Sequence, residues 1–128
     1  MIFIDRSIPR GVADALKQVR NDIIWLEDRF PHDTREADWL REAGANGWLV
    51  VTRNNKIRTP PAERREIIQH YVGCFCFTQK QPITRWEYLK LFALTLDEME
   101  SILSRIERPF VYGIGRTGLL RQLFLKRD

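Results

Sequence analysis

Oxygen-bearing side chains occur where strands are predicted to end and a helix is predicted to begin. Asp5 directly follows the apolar run IFI, Glu36 and Asp38 lie in a predicted first helical turn, and Asn54 lies in the loop after the apolar run WLVV. Ligands of open α/β sheets bind beyond the carboxyl ends of the strands, so we expect these groups to meet there. Carboxylates at such a place predict a Mg²⁺ or Mn²⁺ site with Asp5, Glu36 and Asp38 as ligands and Asn54 as a neutral oxygen donor.

Each of these acids also has an ordinary structural explanation. Asp33 and Glu36 have the spacing of a capping box, in which the first residue caps the helix and the fourth reaches back to it. Asp38 can complement the helix dipole, and Asp5 can cap the loop that follows it. Spacing alone therefore leaves metal binding and capping open for each acid.

Basic residues surround the same strand ends. Arg6 and Arg10 follow the first strand, and Arg53, Lys56 and Arg58 surround the loop after the third. A net charge of +4 with a pI near 9.4 is compatible with polyanion binding. These residues predict contacts with an RNA backbone, and a solvated loop is the alternative.

The elements alternate along the chain in the order β-α-β-α-β-α-β-α, followed by a hairpin with Gly118 in its turn. The predicted strands cover residues 2–5, 22–26, 48–51 and 72–77. The first predicted helix begins after Ser7, which is expected to cap it. The other predicted helices begin at Asp33, at Pro60 or Pro61, and at Thr84. This alternation predicts an α/β fold in which helices cover both faces of a mostly parallel sheet, formed by residues 1–128 as one domain.

Aromatic and sulfur side chains are expected in the core. The four tryptophans occupy apolar periodic positions and are expected to pack internally rather than to stack on bases: Trp25, Trp39, Trp48 and Trp86. Cys74 and Cys76 share one face of a strand, where they are poorly placed for a disulfide, so we expect two buried thiols.

The composition, with 44% apolar and 30% charged residues, is that of a globular domain. No apolar run approaches the ~20 residues that cross a membrane, and no signal peptide is visible. We therefore expect a cytoplasmic protein without a membrane partner.

Three stretches together resemble the PIN-like domains of VapC-type toxins over essentially the whole chain. They are IFIDRSIPRGVADAL, DTREADWLREAGANGWLVVTRNNKIR and PFVYGIGRTGLLRQL. The resemblance implies a three-layer α/β/α PIN-like fold and a Mg²⁺- or Mn²⁺-dependent RNA endonuclease. It assigns the metal-holding acids to Asp5, Glu36 with its neighbour Asp38, and position 54. It also implies a cognate antitoxin protein that blocks the site, and a possible homodimer.

Position 54 departs from the pattern because it is asparagine. Asn54 can bind a cation only through a carbonyl dipole and cannot act as a general base. Three outcomes stay open. In the first, Asp5 and Glu36 are the main ligands and activity is reduced. In the second, Asp38 or Asp33 compensates for the missing acid at position 54. In the third, catalysis is lost while binding of RNA or a protein partner is retained.

Overall fold

A six-stranded sheet forms the centre of the molecule. The structure, a computed structural model, describes residues 1–53 and 61–123. Its strands are β1 (Ile2–Ile4), β2 (Ile23–Trp25), β3 (Leu49–Thr52), β4 (Gly73–Phe77), β5 (Phe110–Ile114) and β6 (Leu120–Leu123), arranged in the order β2-β1-β3-β4-β5-β6. Strands β1 to β5 pair in parallel and β6 pairs antiparallel with β5, which confirms the predicted mostly parallel sheet and C-terminal hairpin.

Helices connect the strands. They are α1 (Arg10–Lys17), α2 (Leu26–Arg29), α3 (Glu36–Asn46), α4 (Pro61–Gln69) and α5 (Arg85–Arg105). The short α2 was not predicted, because a helix of 4 residues is too short for apolar periodicity to reveal it. The remaining elements lie within a few residues of their predicted positions, so the predicted α/β architecture is confirmed.

Two hydrophobic layers lie on opposite faces of the sheet, since side chains alternate along each strand. On one face Ile2 and Ile4 pack with α1 and α5, and on the other Phe3 packs with α2, α3 and α4. The same alternation places Phe75 and Phe77 on the α5 face and Cys74 and Cys76 on the α3 face. The sheet is thus the middle layer of a three-layer α/β/α sandwich.

Two predicted helix caps are wrong. The residue preceding α1 is Pro9, and the Ser7 hydroxyl instead accepts a hydrogen bond from the Arg53 amide at 2.9 Å. Helix α3 begins at Glu36 after Arg35, without a side-chain cap. Residues 31–34 form a turn in which the Thr34 amide donates to the Pro31 carbonyl at 3.1 Å, so the helix starts too late for Asp33 to cap it.

Glycine and threonine mark other helix and turn positions as predicted. Gly47 ends α3 in the left-handed conformation with a φ of 65°, and Gly118 has a φ of 87° in the hairpin turn. Thr84 caps α5 in a complete capping box with Glu87. Gly47 thus fixes the end of α3 before β3, and Thr84 fixes the start of α5 after β4.

Trp86 is the exception among the tryptophans. Trp25, Trp39 and Trp48 are buried, whereas Trp86 is 67% exposed, so the expectation that it lies in the core is wrong. The buried face of α5 is formed instead by Tyr88, Leu91, Phe92, Thr95, Leu96, Met99 and Ile102. The apolar periodicity of α5 therefore indicated a helix but did not reveal that Trp86, in its first turn, faces solvent.

Both cysteines lie in the hydrophobic core. Cys74 and Cys76 are free and buried, as expected. Among residues 1–53 and 61–123, no helix has both the length and the apolar composition to cross a membrane.

Candidate functional site

The site is built around Asp5 at the carboxyl edge of the sheet. Asp5 follows β1, its amide donates to the Val51 carbonyl at 3.2 Å, and the residue is only 3% exposed. One carboxylate oxygen, Oδ2, accepts a hydrogen bond from the Thr52 hydroxyl at 2.5 Å, and Oδ1 accepts one from the Ser7 amide. A buried carboxylate requires such donors because burial removes its water. They hold the Asp5 carboxylate in one orientation.

A polar network extends from Asp5 into the loop after β3. The hydroxyl oxygens of Ser7 and Thr52 lie 3.2 Å apart, and Ser7 Oγ also accepts from the Arg53 amide. By register, Thr52 lies beside Asp5 on one side and opposite Cys76 on the other. This network joins the ends of β1 and β3 at the edge where parallel sheets bind ligands.

Glu36 is the first residue of α3, the helix that packs on the Phe3 face of the sheet. The Arg6 guanidinium donates to the Thr34 carbonyl at 2.6 Å, which ties the loop after β1 to the turn before α3. Burial raises the pKa of the Cys74 thiol well above its ordinary value, and the negative charges of Cys76, Asp5 and Glu36 raise it further. Both carboxylates therefore lie within electrostatic range of one buried thiol.

Glu36 is itself partly withdrawn from solvent. The residue is half-buried, and its Oε2 atom is buried. Position 36 begins α3, where unpaired amides and the helix dipole favour negative charge. The fold thus keeps a partly buried carboxylate at the start of α3, the helix whose preceding turn Arg6 ties to the loop after β1.

The other predicted ligands differ in their surroundings. Asp38 pairs with Arg35 at 3.2 Å and with Arg41 at 3.7 Å, and its side chain is 36% exposed. Asn54, Lys56 and Arg58 lie outside the residues that the structure describes. Within residues 1–53 and 61–123, no group of three or more His, Cys, Asp or Glu side chains is arranged to hold a metal ion.

Two of the arginines that were predicted to contact RNA, Arg6 and Arg53, make backbone contacts inside the protein. Arg6 binds the Thr34 carbonyl, as described above. The Arg53 guanidinium donates to the carbonyls of Gln79, at 3.1 Å, and Gln81. Both arginines thus connect loops at the carboxyl edge of the sheet.

Tyr88 of α5 lies on the face of the sheet opposite α3 and interacts with Arg53. Burial raises the pKa of the Tyr88 hydroxyl, while the charge and hydrogen bond of Arg53 oppose that rise and the charge of Asp5 adds to it. Tyr88 is 1% exposed. Tyr88 is thus a buried residue of the α5 layer that has Arg53 as a hydrogen-bond partner.

Sequence reasoning missed Ser7 and Thr52 as site residues. A hydroxyl residue two positions after Asp5, and another at the end of the neighbouring strand, were the available signals. The Asp5 side chain forms an Asx turn by accepting a hydrogen bond from the backbone amide of Ser7, two positions later. Only strand register shows that Thr52 lies beside Asp5.

The first 79 residues match the family model described as a PIN like domain. The chain belongs to the PIN-like domain family. The match runs from β1 to the residue two positions after β4, so it includes Asp5, Glu36 and the Thr52 network of this PIN-like domain. No curated protein and no solved structure matches the chain. Helix α5 and the C-terminal hairpin lie beyond the matched residues.

The donors of this PIN-like domain are suited to a hard cation. Mg²⁺ in proteins is commonly held by one or two carboxylates and completes its shell with water and substrate phosphate oxygens. Asp5 and Glu36 supply two carboxylates, and the donors to Asp5 leave lone pairs on both of its oxygens. These two residues would hold the metal.

Proposed function

We propose that this PIN-like domain is a Mg²⁺- or Mn²⁺-dependent RNA endonuclease. The observation that supports this most directly is the buried carboxylate of Asp5, fixed by Ser7 and Thr52 at the carboxyl edge of the sheet and near the start of α3, where Glu36 lies. A buried acid is energetically costly, and no basic side chain of residues 1–53 or 61–123 forms a salt bridge with Asp5, which is the situation that a bound cation relieves. Membership of the PIN-like family agrees with a nuclease-type fold.

The residues of the site would have separate roles. Asp5 and Glu36 would hold the metal, and Ser7 and Thr52 would keep the Asp5 carboxylate oriented. A bound metal would supply Lewis-acid stabilisation of the phosphodiester and an activated water. Arg6 would keep the start of α3 close to the end of β1 through the Thr34 carbonyl.

The test is cleavage of an unstructured RNA by the purified protein, with Mg²⁺ or Mn²⁺ and with chelator. We expect cleavage that requires the metal and that falls at least about 100-fold in Asp5→Asn and in Glu36→Gln. Asp14→Asn, an exposed acid of α1, is the matched control and should leave cleavage unchanged. If wild type and Asp5→Asn are equally inert with every divalent metal, the nuclease proposal is wrong.

A second candidate function is a non-catalytic PIN-like module that binds RNA or a protein partner. Asn54 favours it, because the resemblance assigns an acid to that position and an amide supplies no negative charge. Under this hypothesis Asn54→Asp should create metal binding or cleavage that wild type lacks. Tight Mn²⁺ binding by wild type that Asp5→Asn removes would contradict it.

We further propose that the nuclease is the toxin of a toxin–antitoxin pair. The resemblance to VapC-type toxins supports this. Induced expression of wild type in a bacterium should arrest growth, and Asp5→Asn should relieve the arrest. Growth that continues normally while the purified protein cleaves RNA would remove the toxin role and leave the nuclease in place.

A further inference from the structure

A groove lies beside the candidate site, between the loop after β4, the first turns of α5 and the hairpin turn. Its volume is about 610 Å³, within the range of ligand-binding clefts. Gly118 of the hairpin turn lies against Leu94, because a Cβ atom at Gly118 would come within 2.4 Å of the Leu94 side chain. The residues that define the chemistry of the groove are Gln79, Ile83, Lys90, Leu91, Leu94 and Arg116.

The groove is cationic at its rim and apolar along its wall. Lys90 and Arg116 are exposed, and Glu87 is the one acid that lines the groove among the described residues. Hydrogen bonds from the backbone and side chain of Thr84 lower the pKa of Glu87, and the charges of Lys90 and Arg116 add to that effect. Glu87 is thus occupied in the helix cap, and the two cations lie near enough to influence it.

Gln79 supplies a hydrogen-bond acceptor that no donor among residues 1–53 and 61–123 satisfies. Its Oε1 atom is buried and has no hydrogen-bond partner in the described part of the chain. A buried amide oxygen left in this state is energetically costly, and a donor from a ligand would recover that cost. Because Gln79 lines the groove, rotation of its side chain would turn this oxygen toward a ligand, and a ligand with an N–H group on its edge is the matching partner.

An exposed aromatic residue lies next to the groove. Trp86, Lys90 and Leu94 are spaced four residues apart on α5, so they occupy one face of the helix. Trp86 is 67% exposed and Leu94 is 65% exposed. An indole and an aliphatic side chain separated by a lysine offer stacking surfaces beside a cation, which is the pattern of single-strand nucleic-acid binding.

The groove is physically connected to the Asp5 network. Arg53, whose amide donates to Ser7 Oγ, also binds the backbone carbonyls of Gln79 and Gln81 through its guanidinium. Gln79 and Gln81 both line the groove. A chain that occupies the groove would therefore lie next to the carboxyl edge at which Asp5 is held.

We propose that this groove binds a nucleotide of single-stranded RNA, with Trp86 stacking on a base, Gln79 accepting a hydrogen bond from a base amino group, and Lys90 and Arg116 contacting phosphates. The proposal rests on the proposed nuclease function, and it identifies how the substrate is recognised beside that site. Paired RNA is disfavoured, because stacking and edge recognition both require an unpaired base.

Binding can be measured separately from cleavage by adding chelator. Short oligocytidine is titrated into the full chain while tryptophan emission is recorded. Trp25, Trp39 and Trp48 are buried, so we expect quenching of the Trp86 emission, and Trp86→Phe should lose most of the signal change. Trp86→Ala should weaken binding by about tenfold, measured by anisotropy of labelled RNA.

The cations and the amide give two further readouts. Lys90→Gln with Arg116→Gln should reduce the slope of log affinity against log salt by about 1.4. Arg105→Gln, which removes a charge near the other end of α5, is the control and should leave the slope nearly unchanged. Wild type should prefer oligocytidine to oligouridine by about fivefold, because cytosine has an amino group where uracil has a carbonyl, and Gln79→Met should remove that preference.

The outcomes separate this inference from the nuclease proposal. If the groove variants bind and discriminate like wild type while RNA is still cleaved, the groove inference is overturned and the nuclease proposal stands. If RNA binds through the groove but no metal supports cleavage, the groove inference stands and the nuclease proposal fails. Trp86 quenching that depends on protein concentration without RNA would identify a contact between copies of the chain and overturn the inference.

Discussion

Replacing Thr52 with valine removes a hydroxyl group from the buried contact with Asp5 and leaves the side-chain shape almost unchanged. Thr52 is 0% exposed and Asp5 is 3% exposed, so water does not readily replace the lost donor. A hydrogen bond to a charged group contributes about 1.5–3 kcal/mol. We therefore expect Thr52→Val to lower the free energy of unfolding by about 2 kcal/mol, or the melting temperature by about 6–8 °C for a chain of this length.

The measurement is urea unfolding followed by tryptophan fluorescence, repeated in the Asp5→Asn background as a double-mutant cycle. A neutral hydrogen bond contributes about 1 kcal/mol, so the Thr52→Val cost should fall by about 1 kcal/mol in that background. Thr52→Ser is the control, because it keeps the hydroxyl and loses one methyl group. Its cost of about 1 kcal/mol should be the same in both backgrounds.

Two results would refute this reasoning. A Thr52→Val stability within about 0.5 kcal/mol of wild type would mean that the contact with Asp5 does not stabilise the fold. If Thr52→Val costs the same in wild type and in the Asp5→Asn background, the Thr52 hydroxyl does not interact with the carboxylate charge. Either outcome would also weaken the proposal that Thr52 orients a metal ligand.

Three further perturbations test the packing and the electrostatics. Gly44→Ala should destabilise the protein by about 3 kcal/mol or more, because the new Cβ would lie 1.9 Å from the His70 carbonyl oxygen. Gly11→Ala, where the Cβ would meet only the flexible end of a side chain, should be neutral or stabilising by up to about 1 kcal/mol in the same urea assay. The Cys74 thiol, whose pKa burial raises well above its ordinary value, should react with a thiol reagent at pH 8 only after unfolding. The hydrogen bond from the Arg20 guanidinium lowers the pKa of Asp22, so this carboxylate stabilises the fold above its unfolded pKa. That contribution is lost as the pH falls through the folded pKa, so an acid titration below about pH 4 should be less steep for Asp22→Asn.

Most of the sheet was predictable from local patterns. The apolar runs around Ile2, Val50 and Phe75 are bounded by polar or turn residues, and each became a parallel strand. The cysteine positions followed from the two-residue period of a strand. The helix faces were harder to assign, because α5 contains more apolar residues than its buried face requires, and Trp86 was therefore placed in the core.

The places of two candidate ligands in the fold were predicted, and their binding of a metal stays a prediction. Asp5 and Glu36 were identified from their positions after a strand and at a helix start. The roles of Ser7 and Asp33 were not, because local spacing favours capping whenever a short polar residue precedes a helix. The structure assigns the Ser7 hydroxyl to Arg53 instead, a residue 46 positions away.

The sequence by itself determined the order of strands and helices, the polar residues at their ends and the burial of the two thiols, since each depends on periodicity or on immediate neighbours. Only the tertiary structure decided that Thr52 donates to Asp5, that Arg53 binds the loop after β4, and that Trp86 faces solvent beside a cationic groove. The physical reason is that these contacts depend on strand register and on the rotation of a helix about its axis. Both are set by packing between distant segments, so no local pattern encodes them.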